Sequence, residues 1–147
     1  MKIGVISDLH GKCDPKIFDI LKGTSLILSL GDIEDENIIV DISCIANIVG
    51  VRGNMDMGFD PVMFPVGRTL KIMDTSIFMT HIIDMSAEKA ANVILFGHTH
   101  IAENYTDHRG VLHFNPGSAT FPREGKKTVG ILEIGENGQV GGTIYEI

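Results

Sequence analysis

The stretch Lys2-Ile3-Gly4-Val5-Ile6-Ser7-Asp8-Leu9-His10 decides how the chain is read. Residues 2–7 form a short β-branched run, which predicts a buried strand. An acid and an imidazole, two residues apart, end it at once. Working outward, Asp14-Pro15 predicts an N-cap with proline at the first helical position. Ile17, Phe18, Ile20 and Leu21 mark one helical face, and Gly23 supplies a stop. Residues 25–30 (SLILSL) predict a second buried strand, 36–46 a second helix through Ile38, Ile42 and Ile45, and 48–51 a third strand. This β-α-β-α-β alternation favours a parallel sheet with helices packed on it.

The pattern then changes. Residues 68–73 and 76–80 read as a hairpin around Asp74-Thr75, 86–92 as a short helix, and 93–96 as another buried strand. Residues 102–106 and 111–114 flank Asp107-His108-Arg109-Gly110, and 128–134 and 140–147 flank Glu136-Asn137-Gly138. The second half therefore reads as mostly antiparallel. No linker, internal repeat or low-complexity stretch interrupts the chain, so one domain over 1–147 is expected. Two sheets packed face to face, with helices outside, is the simplest α/β architecture that hides these strands.

Five of the predicted strands end in metal-ligand residue types. The first is followed by Asp8 and His10, the second by Gly31-Asp32, and the third by Arg52-Gly53-Asn54. The hairpin strand is followed by His81, and 93–96 by Gly97-His98-Thr99-His100. In open α/β sheets, ligands bind at the carboxyl ends of the strands. Residues two apart in an extended segment point the same way, so Asp8 and His10 are expected to reach one ion. His98 and His100 flank a tight turn and are expected to reach two ions. Gly31, Gly53 and Gly97 are expected to permit the sharp turns that bring ligand and backbone together. A single histidine after a strand is more often just a hydrogen-bonded polar residue. Four imidazoles, two carboxylates and one amide at five strand ends are too many ligands for one ion. They suit two borderline divalent ions: Mn²⁺, Fe²⁺, Ni²⁺, Co²⁺ or Zn²⁺. Two such ions clamp the attacking and leaving oxygens of phosphoryl transfer.

Composition narrows the classes further. The 147 residues carry 19 acidic and 12 basic side chains, a formal charge of -7 with a pI near 5.2. That argues against nucleic-acid partners and anionic membrane surfaces. The N-terminal apolar run is broken by Asp8, and no run approaches the length that spans a bilayer. Cys13 and Cys44 do not make a disulfide framework, so a reducing cytoplasm is expected. A mean hydropathy of +0.19 raises a homodimer as one option.

Taken together, Asp8-Leu9-His10-Gly11, Gly31-Asp32, Gly53-Asn54, Thr80-His81 and Gly97-His98-Thr99-His100 resemble the calcineurin-like metallophosphoesterase superfamily. Val51-Arg52-Gly53-Asn54 and Asn115-Pro116-Gly117-Ser118 resemble its small bacterial and archaeal phosphodiesterase subfamily. The resemblance implies a four-layer sandwich of two mixed sheets with helices outside. It implies that Asp8, His10 and His100 hold one ion, that Asn54, His81 and His98 hold the second, and that Asp32 bridges them. Manganese is placed first, with nickel, iron, cobalt and zinc as alternatives. The implied reaction is hydrolysis of a small phosphate ester by attack of metal-bound hydroxide on phosphorus. Asp32 and Asn54 are counted with the catalytic residues, and Arg123, in the loop after Asn115–Ser118, is weighed as a phosphate contact against a solvated loop arginine.

Two departures stand out. Many superfamily members carry a histidine after the asparagine, where this chain has Met55; a missing general acid is worth about 10²–10⁴-fold. After His81 the subfamily commonly reads Gly-His, where this chain has Ile82-Ile83, which makes the pocket more apolar. Both keep open a binding scaffold that lost turnover, with the retromer subunit of this fold as the implied precedent; a phosphomonoesterase is a third reading. Arg52 is weighed as a phosphate contact against an ordinary ion pair. Asp56 is weighed as a carboxylate that orients a ligand against a polar turn residue. His108 is read as solvated, His113 as a strand-face residue, and Cys13 as a packed or exposed thiol. Gly125-Lys126-Lys127-Thr128 lacks the upstream glycine of a phosphate loop, and no dinucleotide fingerprint follows the first strand.

Overall fold

The computed structural model describes residues 1–84 and 90–147. Strand β1 (Lys2–Ile6) lies between β2 (Leu26–Ser29), parallel to it, and β9 (Thr128–Ile134), antiparallel. Strand β3 (Ile48–Gly50) extends one edge in parallel, and β10 (Val140–Glu146) the other edge as a hairpin with β9. The order in this sheet is β10-β9-β1-β2-β3. The second sheet holds β4 (Gly67–Ile72), β5 (Thr75–Thr80), β6 (Val93–Leu95), β7 (Ala102–Thr106) and β8 (Leu112–Pro116), in the order β4-β5-β6-β8-β7.

The second half is less antiparallel than its pattern suggests. Strand β5 runs parallel to β6, and β6 to β8. Only the outer pairs β4–β5 and β7–β8 of that sheet are antiparallel. The reason is connection length: a tight turn joins each outer pair, whereas residues 81–92 separate β5 from β6, enough for the crossover that parallel pairing needs. The consequence is functional. The carboxyl ends of β1, β2, β3, β5 and β6 all carry candidate ligands.

Period-two burial builds the layers. Ile3, Val5, Leu28 and Leu132 of the first sheet meet Ile77, Met79, Leu95 and Phe114 of the second in one buried cluster. The alternate positions Ile6, Ile27, Val129 and Ile131 turn outward onto Ile17 and Leu21 of α1 (Lys16–Leu21) and Ile38 and Ile42 of α2 (Glu36–Ser43). Removing apolar area from water at about 25 cal/mol per Å² drives both contacts.

Helix boundaries differ slightly from expectation. Helix α1 begins at Lys16, because Pro15 takes helical angles without a side-chain cap of its own, and Asp14 Oδ1 accepts from Lys16 N instead. Gly23 ends it with φ 82°. Helix α2 is capped by Asp35, which accepts from Asn37 N, and it stops at Ser43, three residues short of the expected end. The β4–β5 turn sits at Met73-Asp74, one residue early, with Met73 at φ 53°. The helix expected over 86–92 falls mostly outside the described residues, and residues 90–92 are not helical. No helix among the described residues is long and apolar enough to cross a membrane.

Candidate metal centre

Three of the five loops that carry the candidate ligands share one unusual backbone feature. Asp8 and His10 have φ 56° and 47°, Asp32 and Glu34 φ 53° and 67°, and His98 and His100 φ 68° and 58°. The expectation of an extended segment is corrected here: Asp8 and His10 reach one group from left-handed backbone and not from a strand pleat. Left-handed backbone is unfavourable for non-glycine residues by about 1–2 kcal/mol each, so it persists only where the surroundings enforce it.

The enforcing contacts are visible. The loops after β1 and β2 are zipped together by Asp8 N to Gly31 O (3.0 Å), His10 N to Asp32 O (2.9 Å) and Gly11 N to Ile33 O (2.9 Å). The Asp56 carboxylate, 1% exposed, accepts from four backbone groups: Asp32 N, Ile33 N, Glu34 N and Gly53 N, at 2.7, 2.8, 2.8 and 2.9 Å. Asp56 is therefore no ordinary turn residue; it clamps the loop that presents Asp32. Ser118 Oγ and Thr120 Oγ1 donate to Asp8 O at 2.7 and 3.1 Å, and Thr120 also to Leu9 O. Of the three glycines expected at sharp turns, only Gly31 has positive φ, 97°. Gly53 is required for space: a Cβ there would lie 2.0 Å from Asp32 Oδ1.

Side chains from these loops and His81, at the end of β5, converge as two groups, Asp8–His10–His100 and Asp32–His81–His98, each with one ligand atom per residue within 4.8 Å of the others. Within the first, His10 Nε2 and His100 Nε2 lie 3.2 Å apart, and Asp8 Oδ1 lies 3.2 Å from His100 Nε2. Within the second, His81 Nε2 lies 3.3 Å from Asp32 Oδ2. The groups adjoin, since Asp8 Oδ1 is 4.0 Å from both His10 Nε2 and His81 Nε2. His98 is exposed, and His98 and His100 go to different groups. Asn54 is exposed and shares a cavity wall with His81.

Three of the imidazoles are held by their other nitrogen. His10 Nδ1 meets Glu34 Oε1 at 2.5 Å, His81 Nδ1 meets Leu30 O at 2.7 Å, and His100 Nδ1 meets Phe121 O at 2.6 Å. Each Nε2 is thereby left as the inward nitrogen, the usual arrangement of imidazoles that ligate metals. Asp8 Oδ2 is taken by Ser7 Oγ (2.6 Å) and His98 N (3.1 Å), and Asp32 Oδ1 by Met55 N (2.8 Å). Among the described residues four buried side-chain polar atoms lack a well-formed hydrogen bond, Ser29 Oγ and His113 Nδ1 elsewhere and Asp8 Oδ1 and His81 Nε2 here, the last two facing only other ligand atoms at 3.2–3.3 Å. A buried unpaired polar atom costs about 1–3 kcal/mol and is rare in folded proteins. A divalent cation gives both a partner, and the nitrogen and oxygen donors, without thiolate, suit borderline metals.

Burial works against charge on Asp32, yet the His81 imidazole and the Met55 N–H, with the fields of His81 and His10, hold its carboxyl below the usual carboxylate range. Burial works against charge on His81 as well, but the Asp32 and Asp8 carboxylates hold its pKa above the usual imidazole range. In the metal-free protein this pair thus favours its ionised form.

The other candidates divide. Arg52 lines the cavity beside Asn54. Arg123 has an exposed side chain, while its N–H donates to His100 O at 3.2 Å, which ties its loop to the site. His113 is a buried strand residue, as read, and stacks on Tyr105 at 4.9 Å. Cys13 is half-buried, and burial, with Asp41 and Asp14, pushes its thiol up to about 11. Sequence reading missed Glu34, Phe121, Ser118 and Thr120 as supports. A signal existed for Glu34 alone, which stands two after Asp32 as His10 stands two after Asp8.

A model of the calcineurin-like phosphoesterase superfamily domain matches residues 1–137. A probable metallophosphoesterase of Methanocaldococcus jannaschii is 31% identical, covering 91% of this chain and 76% of its own length. The phosphodiesterase YfcE of Escherichia coli is 25% identical, over 85% of this chain and 83% of its own. Among solved structures, Vacuolar Protein Sorting 29 from Cryptosporidium parvum superposes with TM-score 0.76 at 18% identity, covering 99% of this chain and 97% of that one.

Proposed function

This chain belongs to the calcineurin-like phosphoesterase superfamily, and on that footing we propose that it is a metal-dependent phosphodiesterase acting on a small phosphate ester. The observation that carries the reading is the two adjoining ligand groups, Asp8–His10–His100 and Asp32–His81–His98, whose buried atoms Asp8 Oδ1 and His81 Nε2 lie 4.0 Å apart without a well-formed hydrogen bond. Asp8, His10 and His100 would hold one divalent ion, and Asn54, His81 and His98 the second, with Asp32 shared. Manganese is the first choice, with nickel, iron, cobalt or zinc as alternatives. When bound, two such ions supply a hydroxide nucleophile near neutral pH and offset charge on the phosphate. The rest is done by the chain. Glu34, Leu30 O and Phe121 O fix the three imidazoles, and Asp56 fixes the Asp32 loop. Arg52, on the cavity wall, and Arg123, whose loop is tied to His100 O, would meet the non-bridging phosphate oxygens. Met55 brings no titratable proton to the leaving group, so the ester must leave as a weakly basic alcohol. Cys13 and Cys44 are free thiols, which supports a cytoplasmic setting.

The test is hydrolysis of bis(p-nitrophenyl) phosphate by protein loaded with Mn²⁺. Turnover that disappears in Asp32→Ala is expected. A protein that holds two ions and turns over neither diesters nor monoesters overturns the proposal. That outcome favours the second reading, a binding scaffold, for which the fold shared with Vacuolar Protein Sorting 29 and the side chain of Met55 speak.

A further inference from the structure

We propose that the enzyme selects phosphodiesters with one apolar, aryl or alkyl, ester arm, seated in the cavity beside the ligand groups; the inference rests on the phosphoester reading above. A cavity of about 330 Å³ opens against His81 and Asn54, within the size range of small-molecule sites. Its remaining wall is built from Arg52, Gly53, Met57, Val66, Thr80 and Ile82. Three of these expose apolar side chains strongly, Met57 at 88%, Val66 at 63% and Ile82 at 53%. Apolar side chains gathered at a concavity, and not scattered over the surface, mark a binding site.

Position identifies the occupant. His81 and Asn54 belong to the proposed second ion site, so a phosphate there places whatever is esterified to it directly along this wall. Arg52 is the one cationic side chain described on the wall, enough to meet the single charge of a diester phosphate. An apolar arm removes water from Met57, Val66 and Ile82, and a short polar arm does not. Selection is therefore made on the ester arm that stays, separately from chemistry at the arm that leaves.

Binding is measured first, because it does not need turnover. Diphenylphosphinate and dimethylphosphinate have the same charge and no ester bond to cleave. Calorimetry on Mn²⁺-loaded protein should show the diphenyl compound bound at least about tenfold more tightly, the scale on which apolar pockets discriminate. Val66→Asp should reduce that ratio severalfold, while Val40→Asp, equally exposed on α2 far along the chain, should leave it unchanged. Equal affinities, or a ratio insensitive to Val66→Asp, overturn the inference. The second measurement holds the leaving group constant, comparing phenyl with methyl p-nitrophenyl phosphate. A higher kcat/KM for the phenyl ester is expected. Equal kcat/KM for both esters sinks the inference and spares the phosphodiesterase. Absent turnover with the phosphinate preference intact sinks the phosphodiesterase and spares the apolar site.

Discussion

Asp56 is far from obvious in sequence, yet removing its charge should damage both the fold and one ion site. Its carboxylate takes four backbone N–H groups at 2.7–2.9 Å while 1% exposed. Hydrogen bonds to a charged group contribute about 1.5–3 kcal/mol each. The four share one side chain and do not add, so Asp56→Ala should destabilise by about 4–8 kcal/mol, enough to threaten a domain of ordinary stability. Asp56→Asn is the informative variant. Its amide oxygen can take the place of Oδ1 and keep Ile33 N and Glu34 N, but its NH₂ then faces Asp32 N and Gly53 N, two donors with nothing to accept them. A loss of about 2–4 kcal/mol is expected in urea unfolding with chelator present. Asp32 would no longer be pinned, so the Asp32–His81–His98 group should bind Mn²⁺ about 10–100-fold more weakly, the usual penalty for loss of an outer support. The Asp8–His10–His100 group should weaken less, because its backbone hangs on Ser118 and Thr120 as well as on the Asp32 loop. Two-site calorimetry reads the difference. An Asp56→Asn protein with a wild-type urea midpoint and two unchanged Mn²⁺ affinities would refute the clamp.

Other expectations follow from the same contacts. Met55→His should raise turnover of diphenyl phosphate, whose leaving group is the more basic, by about 10-fold or more while barely changing bis(p-nitrophenyl) phosphate, since general-acid help is worth about 10²–10⁴-fold at most; equal gains for both esters would show that the side chain does not reach the leaving oxygen. Saturating Mn²⁺ at about 100 times Kd should stabilise the fold by about 2.7 kcal/mol per site, reversed by chelator, as a shift in the urea midpoint; no shift would mean that the groups do not bind ions. With its thiol pushed up to about 11, Cys13 stays neutral below that pH, so folded protein at pH 8 should alkylate there about 100-fold more slowly than unfolded protein, and the protection should fade as pH rises toward 11; site-resolved mass spectrometry showing equal rates would contradict the burial. A Cβ on Gly130 would lie 2.4 Å from the buried Phe114 ring, so Gly130→Ala should destabilise by about 1–3 kcal/mol and the added change Phe114→Leu should recover part of it; strictly additive losses in urea would show the two do not touch.

How much of this was legible beforehand can be judged from particular residues. The strand ends at Asp8, Asp32, Asn54, His81 and His98 were readable, because buried runs and their polar stops are local features of the chain. So was the partition of His98 and His100 between two groups, which follows from a tight turn. The parallel pairing of β5, β6 and β8 was hidden, since run length and alternation record burial but not direction. The supports were hidden too. Asp56 meets Asp32 N across 24 positions, Ser118 meets Asp8 O across 110, and the Phe121 carbonyl that fixes His100 has no side-chain signature at all.

The sequence by itself therefore determined which chemical groups are available and that they lie at the same end of their strands. It did so because side-chain identity and strand periodicity are properties of neighbours in the chain. Only the tertiary structure decided that three of the ligand loops are left-handed at alternate residues, which imidazole nitrogen faces inward, and that Asp8 Oδ1 and His81 Nε2 are left without a well-formed hydrogen bond. Those facts depend on backbone groups and on packing between the two sheets, where the contacts join residues that the linear order keeps far apart.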